Sequence, residues 1–180
     1  MRRSCLFVFL ALSLVLLSAC SGKNTSGPTQ SFQAYLDALQ KGDLETASQY
    51  VQGGIQKLDG ADVLYDAATP FYATLKANIT EESINGNSAT LTVELTMLDA
   101  EILSQNILTR IAADGHSLDT MDDALITLIA QALREENLSG YDTFTDDPQQ
   151  IPMVKEGDKW LIPQDYDLSS SIVYTFVTPY

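Results

Sequence analysis

Apolar residues recur along this chain with two different periods, and each change of period marks a change of element. Phe32, Tyr35, Leu36 and Leu39 fall at i, i+3, i+4 and i+7, one stripe of an amphipathic helix. Gly42 stops that helix, and Asp43 is placed to cap a second, shorter one carrying Leu44, Ala47, Tyr50 and Val51, which Gly53-Gly54 ends. A third helix begins near Asp62. Val63, Leu64, Ala67, Ala68, Phe71, Tyr72 and Leu75 give it a broad apolar face, which predicts deep packing. Pro70 lies inside the pattern and predicts a kink or a split there.

The period then drops to two. Ala89, Leu91, Val93, Leu95 and Met97 alternate with Thr90, Thr92, Glu94 and Thr96, the pattern of a strand with one face buried and one wet. Asn85-Gly86-Asn87 just before it predicts a hairpin with Asn78 to Ile84. Helical spacing returns after Asp99 with Ile102, Leu103, Ile107 and Ile111, breaks between Ala113 and Ser117, and resumes with Met121, Leu125, Leu128, Ile129, Ala132 and Leu133. Asp119 is the expected N-cap of that last helix, with Asp122-Asp123 favouring its first turn. Ser139 to Asp147 reads as an acidic loop. Ile151 to Lys155 and Lys159 to Ile162 flank Glu156-Gly157-Asp158, a second hairpin, and Ser171 to Val177 reads as a last strand or a loose tail. Helices, two strands, helices, two strands is an α+β order rather than an alternating βαβ one. No internal repeat is visible.

Ser21 to Gln30, rich in small polar residues with two glycines and Pro28, reads as a tether, so that a single α+β domain occupies 31–180. The hydrophobic content of 45% belongs to a globular chain despite a net charge of −14. Such a surface repels nucleic acid and anionic headgroups.

Ahead of the tether, Arg2-Arg3 precede an apolar run from Leu6 to Leu17, which is followed by Ser18-Ala19-Cys20. Basic start, apolar run and small residues make a secretory signal peptide over 1–19. The run of about a dozen residues is short for a bilayer-spanning anchor, which needs about 20. Leu17-Ser18-Ala19-Cys20 resembles the lipobox of bacterial lipoproteins. The resemblance implies cleavage between Ala19 and Cys20 and attachment of a diacylglycerol (acyl chains such as palmitate) to the Cys20 sulfur. Two acyl chains hold a protein stably to a membrane where one does so marginally. Cleavage removes Arg2, Arg3 and Cys5, leaving 161 residues with net charge −16, a lipidated Cys20 and no other thiol. Disulfides, cysteine nucleophiles and thiolate metal sites are then excluded from the domain. The address implied is extracytoplasmic, on the bacterial cell membrane or on an outer membrane if the host has one.

Two further stretches carry a second resemblance. Phe32 to Ala47 contains Ala38-Leu39, Gly42-Asp43 and Ala47 in the spacing that opens nuclear-transport-factor-2-like domains, and Gly157-Asp158-Lys159-Trp160-Leu161-Ile162 resembles the "G-x-W-x-I" strand near their C-terminus. The resemblance implies N-terminal helices packed on a curved antiparallel sheet, often with an internal pocket, and makes the helical stretch Asp99 to Glu136 an insertion between strand pairs that fills or covers it. That family includes ketosteroid isomerases, but their catalytic motif matches no position here, so no catalytic residue is assigned.

Candidate chemistry is sparse. His116, the only histidine, has Asp114 and Asp119 nearby; a polar loop histidine is expected rather than an acid–base pair or weak metal site. One histidine with no free cysteine does not supply a zinc site. Asp142, Asp146 and Asp147 lack the spacing of a calcium loop, and a solvated acidic loop is expected there. Asp62 with Asp66 is expected to serve a helix N-terminus. Tyr35, Tyr50, Tyr65 and Tyr72 are expected to pack their rings with hydroxyls toward the surface, and Trp160 to lie in the core. No nucleophile elbow, phosphate-binding glycine loop or H-E-x-x-H is present. The expected function is therefore a non-catalytic domain, without cofactor or metal, held to the membrane through Cys20 and binding a small molecule or an envelope protein. The alternative is a pocket enzyme of isomerase or hydratase type, which requires a buried Asp, Glu or Tyr with a perturbed pKa in a cavity.

Overall fold

The computed structural model describes residues 27–178. Residues 1–26, which include the expected signal peptide and Cys20, lie outside it. The fold is α+β: helices packed on an open antiparallel sheet of five strands. Among the described residues no helix is long and apolar enough to cross a membrane.

Helix α1 spans Pro28–Gln40 and therefore takes in the last three residues expected in the tether. Proline suits the first helical position, where its missing N–H has no intrahelical partner to lose. Gly27 caps the helix, and its N–H donates to Gln30 Oε1 at 3.1 Å. Phe32, Tyr35, Leu36 and Leu39, the predicted stripe, are all buried. Gly42 turns the chain at φ 70°, and Asp43 caps α2 (Leu44–Ser48) by accepting from the Thr46 N–H. α2 ends sooner than the apolar spacing implies. Val51 instead makes a single parallel bridge to Ile162, with backbone bonds running from Gln52 N–H to the Ile162 carbonyl and from Ile162 N–H to the Tyr50 carbonyl, both 2.8 Å. The third helix is split at Pro70 as predicted, into α3 (Asp62–Ala67) and α4 (Thr69–Tyr72).

β1 (Lys76–Asn85) and β2 (Ser88–Leu98) form the first hairpin, closed by Gly86-Asn87 with Gly86 at φ 62°. Ala89, Leu91, Val93 and Leu95 face the core. A bulge at Thr80 shifts β1 by one residue, so that Ile79 opposes Val93 but Glu82 opposes Leu91. Glu82 thereby lands on the helix side, where its carboxylate accepts from the Thr29 N–H in the first turn of α1 at 3.0 Å. The positive end of a helix favours such a carboxylate.

α5 (Ala100–Ala113) is capped by Asp99, and α6 (Asp123–Glu135) by Asp122, whose carboxylate accepts from the Leu125 N–H at 2.9 Å. The cap is thus three residues past the expected Asp119, which instead closes a local turn with the Ser117 hydroxyl. The expected acidic loop contains a 3₁₀ turn at Leu138–Gly140 and the short strand β3 (Thr143–Thr145). β4 (Gln149–Glu156) and β5 (Lys159–Leu161) form the second predicted hairpin. The sheet runs β1-β2-β4-β5, and β3 pairs with β2 on the same side as β4. The β3 register opposes Thr96 to Thr145, and the β4 register opposes Val93 to Gln149. The two are one strand line interrupted by a bulge at Asp146 to Pro148.

The expected last strand or loose tail is a helix, α7 (Leu168–Val177). Its β-branched and aromatic residues favour strands in isolation, but Ile172, Val173 and Phe176 are buried in the core, and burial outweighs propensity. Phe176 meets Phe71 edge to face at 6.4 Å, and the Ser104 hydroxyl of α5 donates to the Thr175 carbonyl of α7 at 3.1 Å.

Candidate functional site

Two arrangements gather chemistry-bearing side chains, one sealed in the core and one open at the surface. The sealed one joins α1 to the start of α7. Asp167 is the N-cap of α7, and its carboxylate accepts from Ser169 N–H, Ser170 N–H and both serine hydroxyls. It also accepts a hydrogen bond from the Tyr35 hydroxyl at 2.7 Å, across 132 residues of sequence. Tyr35 is 0% exposed and Asp167 2%. Burial, then the Asp167 charge, then the hydrogen bond to it, hold the Tyr35 phenol well above the usual tyrosine range. The Tyr72 phenol donates to the Ser169 carbonyl at 3.4 Å and is pushed upward by burial first and by neighbouring Tyr65 and Asp167 next. Tyr65 donates to the Ser170 hydroxyl at 3.3 Å and accepts from the Leu58 N–H at the same distance. The expectation that the tyrosine hydroxyls reach the surface therefore fails for Tyr35, Tyr65 and Tyr72, each 0% exposed. The start of α7 gives these hydroxyls internal partners: the Asp167 carboxylate for Tyr35, the Ser170 hydroxyl for Tyr65 and the Ser169 carbonyl for Tyr72. No buried side-chain polar atom among the described residues lacks a hydrogen bond.

The open arrangement is a groove of about 620 Å³ at the corner of the sheet, between α5, the 3₁₀ turn and β3. Asp99, Ile102 and Asn106 present one stripe of α5 to it, and Phe144 faces them from β3. Ile102 and Phe144 are 50% and 40% exposed, so the floor is apolar and wet. Opposite Met97 in the register, Phe144 lies on the helix side of the sheet. Polar contacts fix one wall. Asn106 donates to the Tyr141 hydroxyl at 3.4 Å, Tyr141 donates to Glu136 Oε1 at 3.1 Å, and Arg110 pairs with Glu136 Oε2 at 2.8 Å. Asp99 and Asp142 add carboxylates to the rim. A preformed concavity of this size with an apolar floor and a few fixed polar groups is what a ligand site requires.

The residues singled out by sequence fall mostly outside both arrangements. His116 is exposed beside two shallow depressions of about 300 and 130 Å³, and its side chain makes no hydrogen bond to Asp114 or Asp119. Asp142 borders the groove, while Asp146 accepts from Gln149 at 3.2 Å. No group of three or more His, Cys, Asp or Glu side chains is placed to hold a metal among the described residues. Asp62 lies in the first turn of α3 as expected and pairs with Lys57 at 3.0 Å. Trp160 is buried, with Lys155 Nζ 5.7 Å from its ring centroid. Ala19 and Cys20 lie outside the described residues. Sequence reasoning passed over Asp167 and the groove. An aspartate followed by three serines within four residues, ahead of Ile172, Val173 and Phe176, is an N-cap signature that would have located α7 and its carboxylate. The groove had no such signal, because it joins residues far apart in sequence. Compared with known proteins, the chain matches no family model, no curated protein and no solved structure.

Proposed function

We propose that this chain is an extracytoplasmic lipoprotein, anchored through Cys20, whose domain works by binding at the α5–β3 groove. The anchor rests on Leu17-Ser18-Ala19-Cys20. The binding role rests on one observation: the open, preformed concavity is apolar and acidic, while the strongly perturbed phenols are closed off from it. The isomerase or hydratase alternative draws on the Tyr35–Asp167 pair, a buried acid and phenol of the kind a pocket enzyme needs. Neither residue lines the groove, and the Asp167 oxygens are already engaged by Tyr35, Ser169 and Ser170. A substrate would reach them only after α7 moved away.

The finer reading of the fold is a nuclear-transport-factor-2-like cone with α5 and α6 inserted between β2 and β3. The Gly157 to Ile162 strand and the short helices ahead of the sheet support it. The test of the function is expression in the native host with an alkyne fatty acid in the medium. Wild-type protein should take up label and sediment with membranes, and Cys20→Ser should do neither. Native mass spectrometry of the released wild-type protein should then retain a ligand that Ile102→Ser releases. An unlabelled wild type removes the anchor from the reading, and a clean mass in both forms counts against a retained small molecule.

A further inference from the structure

We infer that the groove takes an extended peptide segment, added as a strand to the free edge of β3, in which basic and apolar side chains occupy every second position and so share the face toward the groove. This deepens the binding role proposed above and rests on it. The argument begins with which backbone groups β3 leaves open. Asp146 N–H donates to the Leu95 carbonyl at 2.9 Å. In an antiparallel ladder, hydrogen-bonded and non-hydrogen-bonded pairs alternate, so the next bonded pair is Phe144 with Met97. Thr145 opposite Thr96, and Thr143 opposite Leu98, are then the non-bonded pairs. The 2.7 Å contact between the Thr96 and Thr145 hydroxyls fits that assignment, since side chains approach most closely across such pairs. The N–H and C=O groups of Thr143 and Thr145 therefore point away from β2, where no described strand pairs with them. All three residues of β3 are exposed.

The same strand line is guarded further along. Lys155 N–H donates to the Asn87 carbonyl at 2.8 Å, so by the same alternation Pro152, opposite Thr90, turns its nitrogen to the outer edge. A proline there offers no donor, a common way to blunt an exposed edge. β5 covers Val154 to Glu156. The outer edge is thus covered at one end, blunted in the middle and open at β3, beside the groove. A free edge beside side-chain pockets is the geometry of strand addition, in which main-chain bonds give affinity and alternate pockets give specificity.

Charge selects the segment. Glu136 is already neutralised by Arg110 and Asp99 caps α5 through the Ile102 N–H, but Asp142 carries a carboxylate without an ion-pair partner on the rim of a chain with net charge −14. A lysine or arginine facing the groove meets that carboxylate, while an apolar side chain two positions away, on the same face of the added strand, covers Ile102 and Phe144. An acidic or anionic partner is repelled.

The test is titration of the full chain, purified in a nonionic detergent, with a dye-labelled five-residue peptide carrying lysine, leucine and lysine at its first, third and fifth positions and threonine between them; empty micelles serve as the blank. Binding should weaken with salt, and should vanish when glutamate replaces lysine. N-methylation of the two threonine amides, which face Thr143 and Thr145, blocks pairing while leaving the side chains and should weaken it about tenfold. Phe144→Ser should weaken it by a similar factor, and Asp142→Lys should reduce both affinity and salt dependence; near-ultraviolet circular dichroism checks that each variant is folded. If the N-methylated peptide binds as well while Phe144→Ser still weakens it, strand addition is wrong and the groove reading stands. If binding ignores both substitutions, the groove is not the site and both readings fall. If no peptide binds but a small molecule is retained in native mass spectrometry, the partner class is wrong and the binding role survives.

Discussion

Tyr35 and Tyr72 are two of eight tyrosines, and burial separates their titration from that of an exposed phenol. Both have folded-state values raised above the unfolded value near 10, so the folded protein keeps protons that the unfolded chain releases. Stability from this source is fully present below about pH 10 and falls as pH rises further, by up to about 2.7 kcal/mol per pH unit for two protons. Alkaline unfolding followed by circular dichroism should show that slope, and Tyr72→Phe should roughly halve it. Phenolate absorbance near 295 nm should show two tyrosines ionising only with unfolding. Loss of the carboxylate cap is a different injury. Asp167→Ala strands the Tyr35 hydroxyl and removes the N-cap of α7, and should cost about 3 kcal/mol or more in urea titration, against about 1–2 kcal/mol for Tyr35→Phe.

At the level of elements, the sequence was most readable where periodicity and punctuation agreed. β2 announced itself by strict alternation, and both hairpins by a glycine at a positive-φ turn. Pro70 split its helix, and Asp43 capped the next one after Gly42. The failures have a common cause. α7 is written in strand-favouring residues and becomes a helix because its core contacts, and the Tyr35 bond to its cap, are non-local. β3 is three residues long and owes its existence to β2. Gly42 illustrates how local and tertiary demands coincide: a Cβ there would lie 2.7 Å from Thr69 Oγ1, in addition to the strain of φ 70°. Gly42→Ala should therefore lower the unfolding free energy by more than the usual ~1 kcal/mol for such a site. Thr69→Ala in the same chain should recover the steric part but not the backbone part, which a double-mutant cycle in urea would resolve.

Over the whole molecule, the helices close one face of the sheet, and the other face, carrying Thr90, Thr92, Glu94 and Thr96, stays wet. What the sequence left illegible is what depends on distant residues meeting: the Tyr35–Asp167 bond and the groove between α5 and β3. Phe176→Ala should cost about 3–5 kcal/mol in thermal or urea unfolding, because Phe71 would lose its edge-to-face partner and α7 much of its grip. The separation of Tyr35 from its carboxylate also sets a clock. A ribosome delivers the chain from its amino end, so α1 and the whole sheet emerge while the place of Ile172, Val173 and Phe176 is still vacant. Until Asp167 arrives, the Tyr35 hydroxyl faces a gap rather than a carboxylate. α7 is in that sense a latch: the last-made stretch of the described chain supplies both the final core side chains, Ile172, Val173 and Phe176, and the carboxylate that the Tyr35 hydroxyl needs.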